Sequence, residues 1–413
     1  MAIIKPFKGL RPIPALAHQV ASLPYDVMNT QEARTMAAGN PYSFLHVSRA
    51  EIDLPEGTDI HSSAVYERAK ENFLSLIATG TLVQDSQPYL YIYAQTMNGR
   101  RQVGLVACSS MEDYFDDAIK KHEYTRPEKE LDRIAHMQAV HAHVGPIFLT
   151  YPTHGGIKAI ITQAIAGTPV YDFTATDGIR HSLWVLAEEK TIAAILDYFQ
   201  REIPYTYIAD GHHRAASAAK VGKQLREQNP NHTGQEEYNF FLSVLFPADE
   251  LAIMDYNRVV KTLNGYTKET LLKKIEEKFT IASIPSTAAK PSQLHDFAMY
   301  IEQQWYRLTA HNDTYTSDPI GILDVSILQN NILEPLLGIA DPRTDKDIDF
   351  VGGIRGLAAL QHRVDSGEMA VAFALYPVSL QQLMTIADTG AVMPPKSTWF
   401  EPKLRDGLLC HLF

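Results

Sequence analysis

Apolar positions along the chain alternate in some stretches and recur every three to four residues in others, so strands and amphipathic helices are interleaved from end to end. Residues 88–94 and 102–108 alternate on either side of Asn98-Gly99, which predicts a hairpin. Further strand-like runs cover 145–151, 170–174, 180–186, 205–209, 240–246, 251–263 and 369–376. Helical spacing appears over 61–80, with Val65, Ala69, Phe73 and Leu76 on one face, and again over 156–165, 188–201, 215–228 and 267–279. Thr125 followed by Glu128 predicts a capping box for a helix reaching about residue 141. Short apolar runs are read more locally. Residues 40–47 predict a turn and a short strand, 294–300 a helix, and 341–350 a charged surface loop.

This mixture predicts an α+β (mixed α/β) fold. At 413 residues the chain exceeds one compact core. Pro247-Ala-Asp-Glu250 is the clearest break, giving an expected first domain at 1–250 and a second α+β unit at 251–413. The second is expected to fold back onto the first.

Composition narrows the partners. Hydrophobic residues make up 45% and charged residues 21%, the balance of an ordinary globular protein. A net charge of −11 weighs against nucleic acid as the main ligand, because that affinity comes largely from Lys and Arg. No apolar run approaches the ~20 residues of a membrane span, and the first residues lack the pattern of a signal peptide. The two cysteines, Cys108 and Cys410, are too far apart to indicate a disulfide framework or a zinc site. The expectation is a cytoplasmic protein with a small-molecule substrate, no nucleic-acid or membrane partner, and an oligomeric state left open.

The densest chemistry lies between the strand at 205–209 and the helix at 215–228, in Asp210-Gly-His-His-Arg214. A helix N-terminus carries unpaired N–H groups and partial positive charge, and so attracts phosphate or carboxylate. Gly211 allows close backbone approach. Arg214 offers a planar fork of donors, Asp210 a ligand for a metal ion or an acceptor for a hydroxyl proton, and His212 and His213 donors or proton carriers. The plainer alternative is a turn in which Asp210 caps the helix. Asp26 presents a similar choice between a catalytic base or metal ligand and the cap of a helix at 30–38.

Asp210-Gly-His-His-Arg214 resembles the signature of the family called domain of unknown function 1015. The likeness continues at Pro24-Tyr-Asp-Val27, at His122-Glu-Tyr-Thr125 with Asp132-Arg133, and at Met393-Pro-Pro-Lys-Ser-Thr-Trp-Phe-Glu-Pro-Lys403. The Asp-Gly-His-x-Arg pattern is also similar to that of free serine kinases in the ParB/sulfiredoxin superfamily, whose loop binds phosphate. This resemblance implies a ParB/sulfiredoxin-like core with additional strands, and ATP or ADP with magnesium as cofactors. It implies a catalytic group of Asp210, His212, His213, Asp26 and Glu123, with Asp210 also holding the metal. Phosphate or nucleotide binding would fall to Gly211, Arg214, Arg133, His122, Thr125, Lys396, Ser397 and Thr398. The implied reaction is phosphoryl transfer between an adenine nucleotide and a hydroxy amino acid such as free serine. A nucleotide-binding regulator without turnover, or a phosphatase or other hydrolase using the same loop, is the alternative.

Overall fold

In the computed structural model, which describes residues 1–287 and 289–413, the apolar runs of the first part of the chain pair into one nine-stranded sheet. Its strands are β1 (Ile4–Lys5), β2 (Leu90–Met97), β3 (Arg100–Ser110), β4 (Ile119–Lys120), β5 (Ile147–Tyr151), β6 (Tyr171–Thr174), β7 (Arg180–Leu186), β8 (Thr206–Asp210) and β9 (Phe240–Pro247). The order is β4-β8-β5-β9-β3-β2-β7-β6, with β1 beside β3. Pairing is mixed: β8 runs parallel to β4 and β9 parallel to β5, while the remaining neighbours are antiparallel. The hairpin expected around Asn98-Gly99 is β2–β3, and both turn residues have positive φ.

Helices α1 (Thr30–Ala37), α2 (Ser63–Ala78), α3 (Pro127–Val140), α4 (Gly155–Ala164), α5 (Glu189–Glu202) and α6 (His212–Gln228) belong to the same unit. One apolar cluster joins Ile92, Leu105, Leu149, Ile208 and Leu245 of the sheet to Ile195 and Phe199 of α5 and Ala215 and Ala219 of α6. The alanines let α6 lie deep, and Gly222 lets it come closer still. A Cβ there would meet the Tyr238 carbonyl oxygen at 2.3 Å and the Met111 sulfur at 2.6 Å. Gly222→Ala is therefore expected to lower stability by roughly 1–3 kcal/mol. A denaturation midpoint equal to wild type would mean that the backbone around Tyr238 yields without cost.

The structure divides into two compact units, Met1–Leu251 with Pro402–Phe413, and Ala252–Glu401. The last twelve residues, expected with the second unit, thus group with the first. The second unit is built on six strands, β10 (Tyr256–Val260), β11 (Phe279–Ile284), β12 (Asp296–Ile301), β13 (Gln304–Ala310), β14 (Ile348–Gly352) and β15 (Val371–Ala374). They are antiparallel in the order β11-β13-β12-β15-β10-β14. No helix among the described residues is long and apolar enough to cross a membrane.

Several local expectations are corrected. The predicted helix at 294–300 is β12, whose six residues are all buried between β13 and β15. A short apolar run has no period that separates strand from helix. The loop at 341–350 ends in β14, and the strand at 40–47 is instead a helical turn, Leu45–Ser48. Asn29, not Asp26, caps α1, through a full capping box with Glu32. Thr125 does not cap α3. Pro127 opens that helix, and the Thr125 hydroxyl donates to Glu130.

Candidate functional site

Strand β8 ends at Asp210 with a register shift between Ile208 and Asp210, an irregularity of the kind that re-aims a side chain. Gly211 follows at φ 95°, a conformation that favours glycine, and α6 starts at once at His212. The Arg214 guanidinium packs against this glycine. An added Cβ at Gly211 would lie 3.1 Å from Arg214 Nε and 3.2 Å from its Cζ and Nη2.

Asp210 is held between two cations. Lys403 Nζ is 3.4 Å from its Oδ2 and Arg214 Nη2 is 3.5 Å away. Burial opposes the negative charge, but Lys403 first and Arg214 second outweigh it and hold the carboxyl well below the usual carboxylate range. With 29% of the side chain exposed, Asp210 is ionised and open to a ligand. Arg214 is almost fully buried and donates through Nη1 to the Pro146 carbonyl. Its own charge survives burial because Asp210, then Asp26 and Asp406, favour it.

Burial favours the neutral form of the histidines around the loop, and hydrogen bonds set the tautomers of His212 and His213. His212 Nε2 accepts from the His122 N–H at 3.4 Å, which leaves the proton on Nδ1, 3.8 Å from a Glu123 carboxylate oxygen. Burial, then the neighbouring His122, push His212 well below its ordinary value. The His122 ring stands edge-on to it at 4.4 Å, and burial pushes that imidazole down to about 4. His213 Nε2 accepts from the Arg126 N–H at 3.0 Å, and burial followed by Lys129 lowers its value too.

Across the loop, Tyr25 and Asp26 lie in the helical turn Tyr25–Val27, which Arg49 anchors by donating to the Tyr25 carbonyl at 3.1 Å. Arg133 stacks over the Tyr25 ring at 3.9 Å and pairs with Asp132 at 2.6 Å. Burial pushes the Tyr25 hydroxyl up to about 12, against Arg133 and with Asp26. The exposed Asp26 carboxylate acts electrostatically on Tyr25, Arg214, His213 and Asp406. A cavity of about 230 Å³ opens here, lined by Tyr25, Asp26, Arg49, Lys129, Asp132 and Arg133 among others.

Most expected residues are thereby gathered within the first unit: Asp26, His122, Glu123, Arg133, Asp210, Gly211, His212, His213 and Arg214. Thr125 lies beside them, engaged by Glu130. Lys396, Ser397 and Thr398 belong to the second unit. There the Lys396 ammonium faces the Tyr256 ring at 5.7 Å, and the Ser397 hydroxyl donates to the Pro394 carbonyl.

Two groups from the C-terminal segment of the first unit escaped the sequence-based selection of site residues. Lys403 stands in the Glu-Pro-Lys stretch that the sequence singled out, yet nothing there paired it with Asp210. Asp406 lies in no motif. The segment is fixed from behind: buried Gln95 donates to the Lys403 carbonyl at 2.8 Å and accepts from Gln102 at 3.0 Å. Arg405 donates to His181 at 3.2 Å and pairs with Asp177.

Among the described residues no three His, Cys, Asp or Glu side chains converge to hold a metal ion. Asp210, as a single ionised carboxylate, does fit magnesium, which binds through one or two carboxylates together with substrate phosphates.

Among solved structures, the chain is similar to a free serine kinase in complex with AMP, at 14% identity over 71% of this chain and 89% of that one, with a TM-score of 0.33. It is also similar to a conserved hypothetical protein from Pyrococcus furiosus, at 14% identity, 72% and 93% coverage and a TM-score of 0.35. SbnI with a C-terminal truncation, from Staphylococcus aureus, is similar at 12% identity, 74% and 87% coverage and a TM-score of 0.33. No curated protein matches the sequence. The family described as Protein of unknown function (DUF1015) matches residues 4–326, most of the chain, and the protein belongs to that family.

Proposed function

We propose that this protein is a small-molecule phosphotransferase, moving a phosphoryl group between an adenine nucleotide, ATP or ADP, and the hydroxyl of an amino acid such as free serine. The observation that carries the reading is Asp210, ionised between Lys403 and Arg214 at the N-terminus of a seventeen-residue helix. Phosphate oxygens would meet the first N–H groups of α6, with Arg214 and Lys403 offsetting the charge that develops during transfer. Magnesium, bound by Asp210 and the phosphates, would neutralise further phosphate charge. Asp26, exposed in its turn, would orient the acceptor hydroxyl. The neutral His212 supplies an N–H donor toward Glu123 rather than a full positive charge. The likeness of Asp-Gly-His-x-Arg to the phosphate-binding loop of free serine kinases favours serine as the first acceptor to try.

The test is phosphoryl transfer by purified protein with magnesium, ATP or ADP, and a panel of hydroxy amino acids, read by phosphorus NMR. Phosphoserine formed by the wild type is the expected result. Nucleotide binding with no product from any acceptor would replace this reading with a regulator that binds without turnover.

A further inference from the structure

Beneath the loop lies a second, smaller chamber of about 40 Å³, whose walls include Tyr25, Arg133, His143, Gly145, Arg214 and Asp406. Three of the lining residues carry a buried polar atom with no hydrogen-bond partner: Arg214 Nε, His143 Nε2 and Asp406 Oδ1. Leaving such groups unpaired is costly, so each calls for a partner.

The identity of that partner follows from what the three atoms need. Arg214 Nε–H needs an acceptor. His143 needs a donor, for a reason that begins at the surface. Glu237 accepts from His411 Nε2 at 2.9 Å, which leaves His411 Nδ1 as a lone pair, and His143 Nδ1 is 3.2 Å from that atom. His143 Nδ1 therefore carries its proton, and His143 Nε2 is a bare acceptor. Asp406 Oδ1, only 3% of whose residue is exposed, is a second acceptor when the carboxyl is ionised. An anion would be repelled by Asp406 and would offer His143 nothing. A cation would face Arg133 and Arg214. Water donates twice and accepts, and the chamber exceeds the ~10–15 Å³ that one water needs.

We propose that the chamber binds water, and that through this water Asp406 serves as a further proton acceptor for the phosphate-binding loop. The role of Asp406 rests on the phosphotransferase reading; the water site does not. In the step, the acceptor hydroxyl gives its proton to the water as its oxygen attacks phosphorus, and the water gives one of its own protons to Asp406. One O–H bond breaks and one forms at each exchange, and the water is regenerated. The charged groups acting on Asp406 are Arg214 from α6, Asp26 from the opposite turn, Arg133 from α3 and Arg405 from its own segment. Burial, aided by Asp26 and opposed by Arg214, brings its carboxyl up to about 7, close to the pH at which a base works best.

A high-resolution crystal structure of the full chain is expected to contain water within hydrogen-bond distance of Arg214 Nε, His143 Nε2 and Asp406 Oδ1. Carboxyl carbon NMR, assigned with Asp406→Asn, is expected to place the Asp406 titration near neutrality. An empty chamber, or titration in the ordinary carboxylate range, overturns the proposal whether or not the protein is a kinase. If phosphoryl transfer is observed, Asp406→Asn is expected to reduce it about 100-fold and remove the acidic limb of its pH profile. Unchanged rate and profile would overturn the proton role. Should that variant not fold, His143→Leu is expected to shift the acidic limb by removing one of the water's partners, and an unmoved limb would count against the proposal.

Discussion

Asp210→Asn is expected to lower phosphoryl transfer about a thousandfold while leaving nucleotide affinity equal or tighter. The amide keeps the shape of the side chain but removes the anion shared by Lys403 and Arg214. Both cations then turn more of their charge toward bound phosphate, so binding is not lost. What disappears is the carboxylate that spaces them and fits magnesium. The expected pattern is a fall in kcat at a preserved or lowered nucleotide Kd, from product formation and calorimetry on the same preparation. The pH dependence supplies a second reading. Because the folded protein holds the Asp210 carboxyl below its unfolded value, the associated stability is present above the ordinary carboxylate range and is lost as pH falls through and below it. Wild type should thus lose more stability on acidification than Asp210→Asn. A variant that keeps wild-type kcat would remove Asp210 from the reaction.

The loop was legible in the sequence because its signals are local. A β-branched and aromatic strand, a glycine and an alanine-rich helix are contiguous, and their functional side chains fall within five residues. The helix begins three residues earlier than its composition predicts, since His212, His213 and Arg214 are weak signals of helix but form its first turn. Gathering Asp26, Arg133 and Arg214 was legible only through motif resemblance, as they stand far apart in the chain. Lys403 was legible as a cation of the C-terminal motif able to hold phosphate, not as the partner of Asp210, and Asp406 was not legible as a site group. Their placement depends on a C-terminal segment held by buried Gln95 and His181; in the sequence Gln95 falls just past the first strand of the expected hairpin and His181 reads as an ordinary strand residue. Propensity also failed where burial decides: β12 is a strand because its neighbours are strands.

Arg214 is the residue whose removal is expected to cost most in stability and binding together. Its Nη1 satisfies the Pro146 carbonyl, its Nη2 reaches Asp210, and its plane fills the space over Gly211. Arg214→Met keeps much of the packing but leaves the carbonyl without its donor and Asp210 with Lys403 alone. A loss of about 3 kcal/mol is expected, measured by chemical denaturation. Affinity for the nucleotide is expected to fall at least about tenfold, the loss of one charged hydrogen bond to phosphate. Arg214→Lys separates charge from shape. Lysine restores the positive charge but cannot hold Pro146 and Asp210 together with one compact ammonium. It should recover part of the stability and little of the phosphate affinity. The same substitutions bear on the chamber below: Arg214 draws the Asp406 carboxyl down, so Arg214→Met is expected to move the Asp406 titration to higher pH. Wild-type affinity in Arg214→Lys would mean that charge alone suffices at the loop, and the planar fork would then have no part in recognising phosphate.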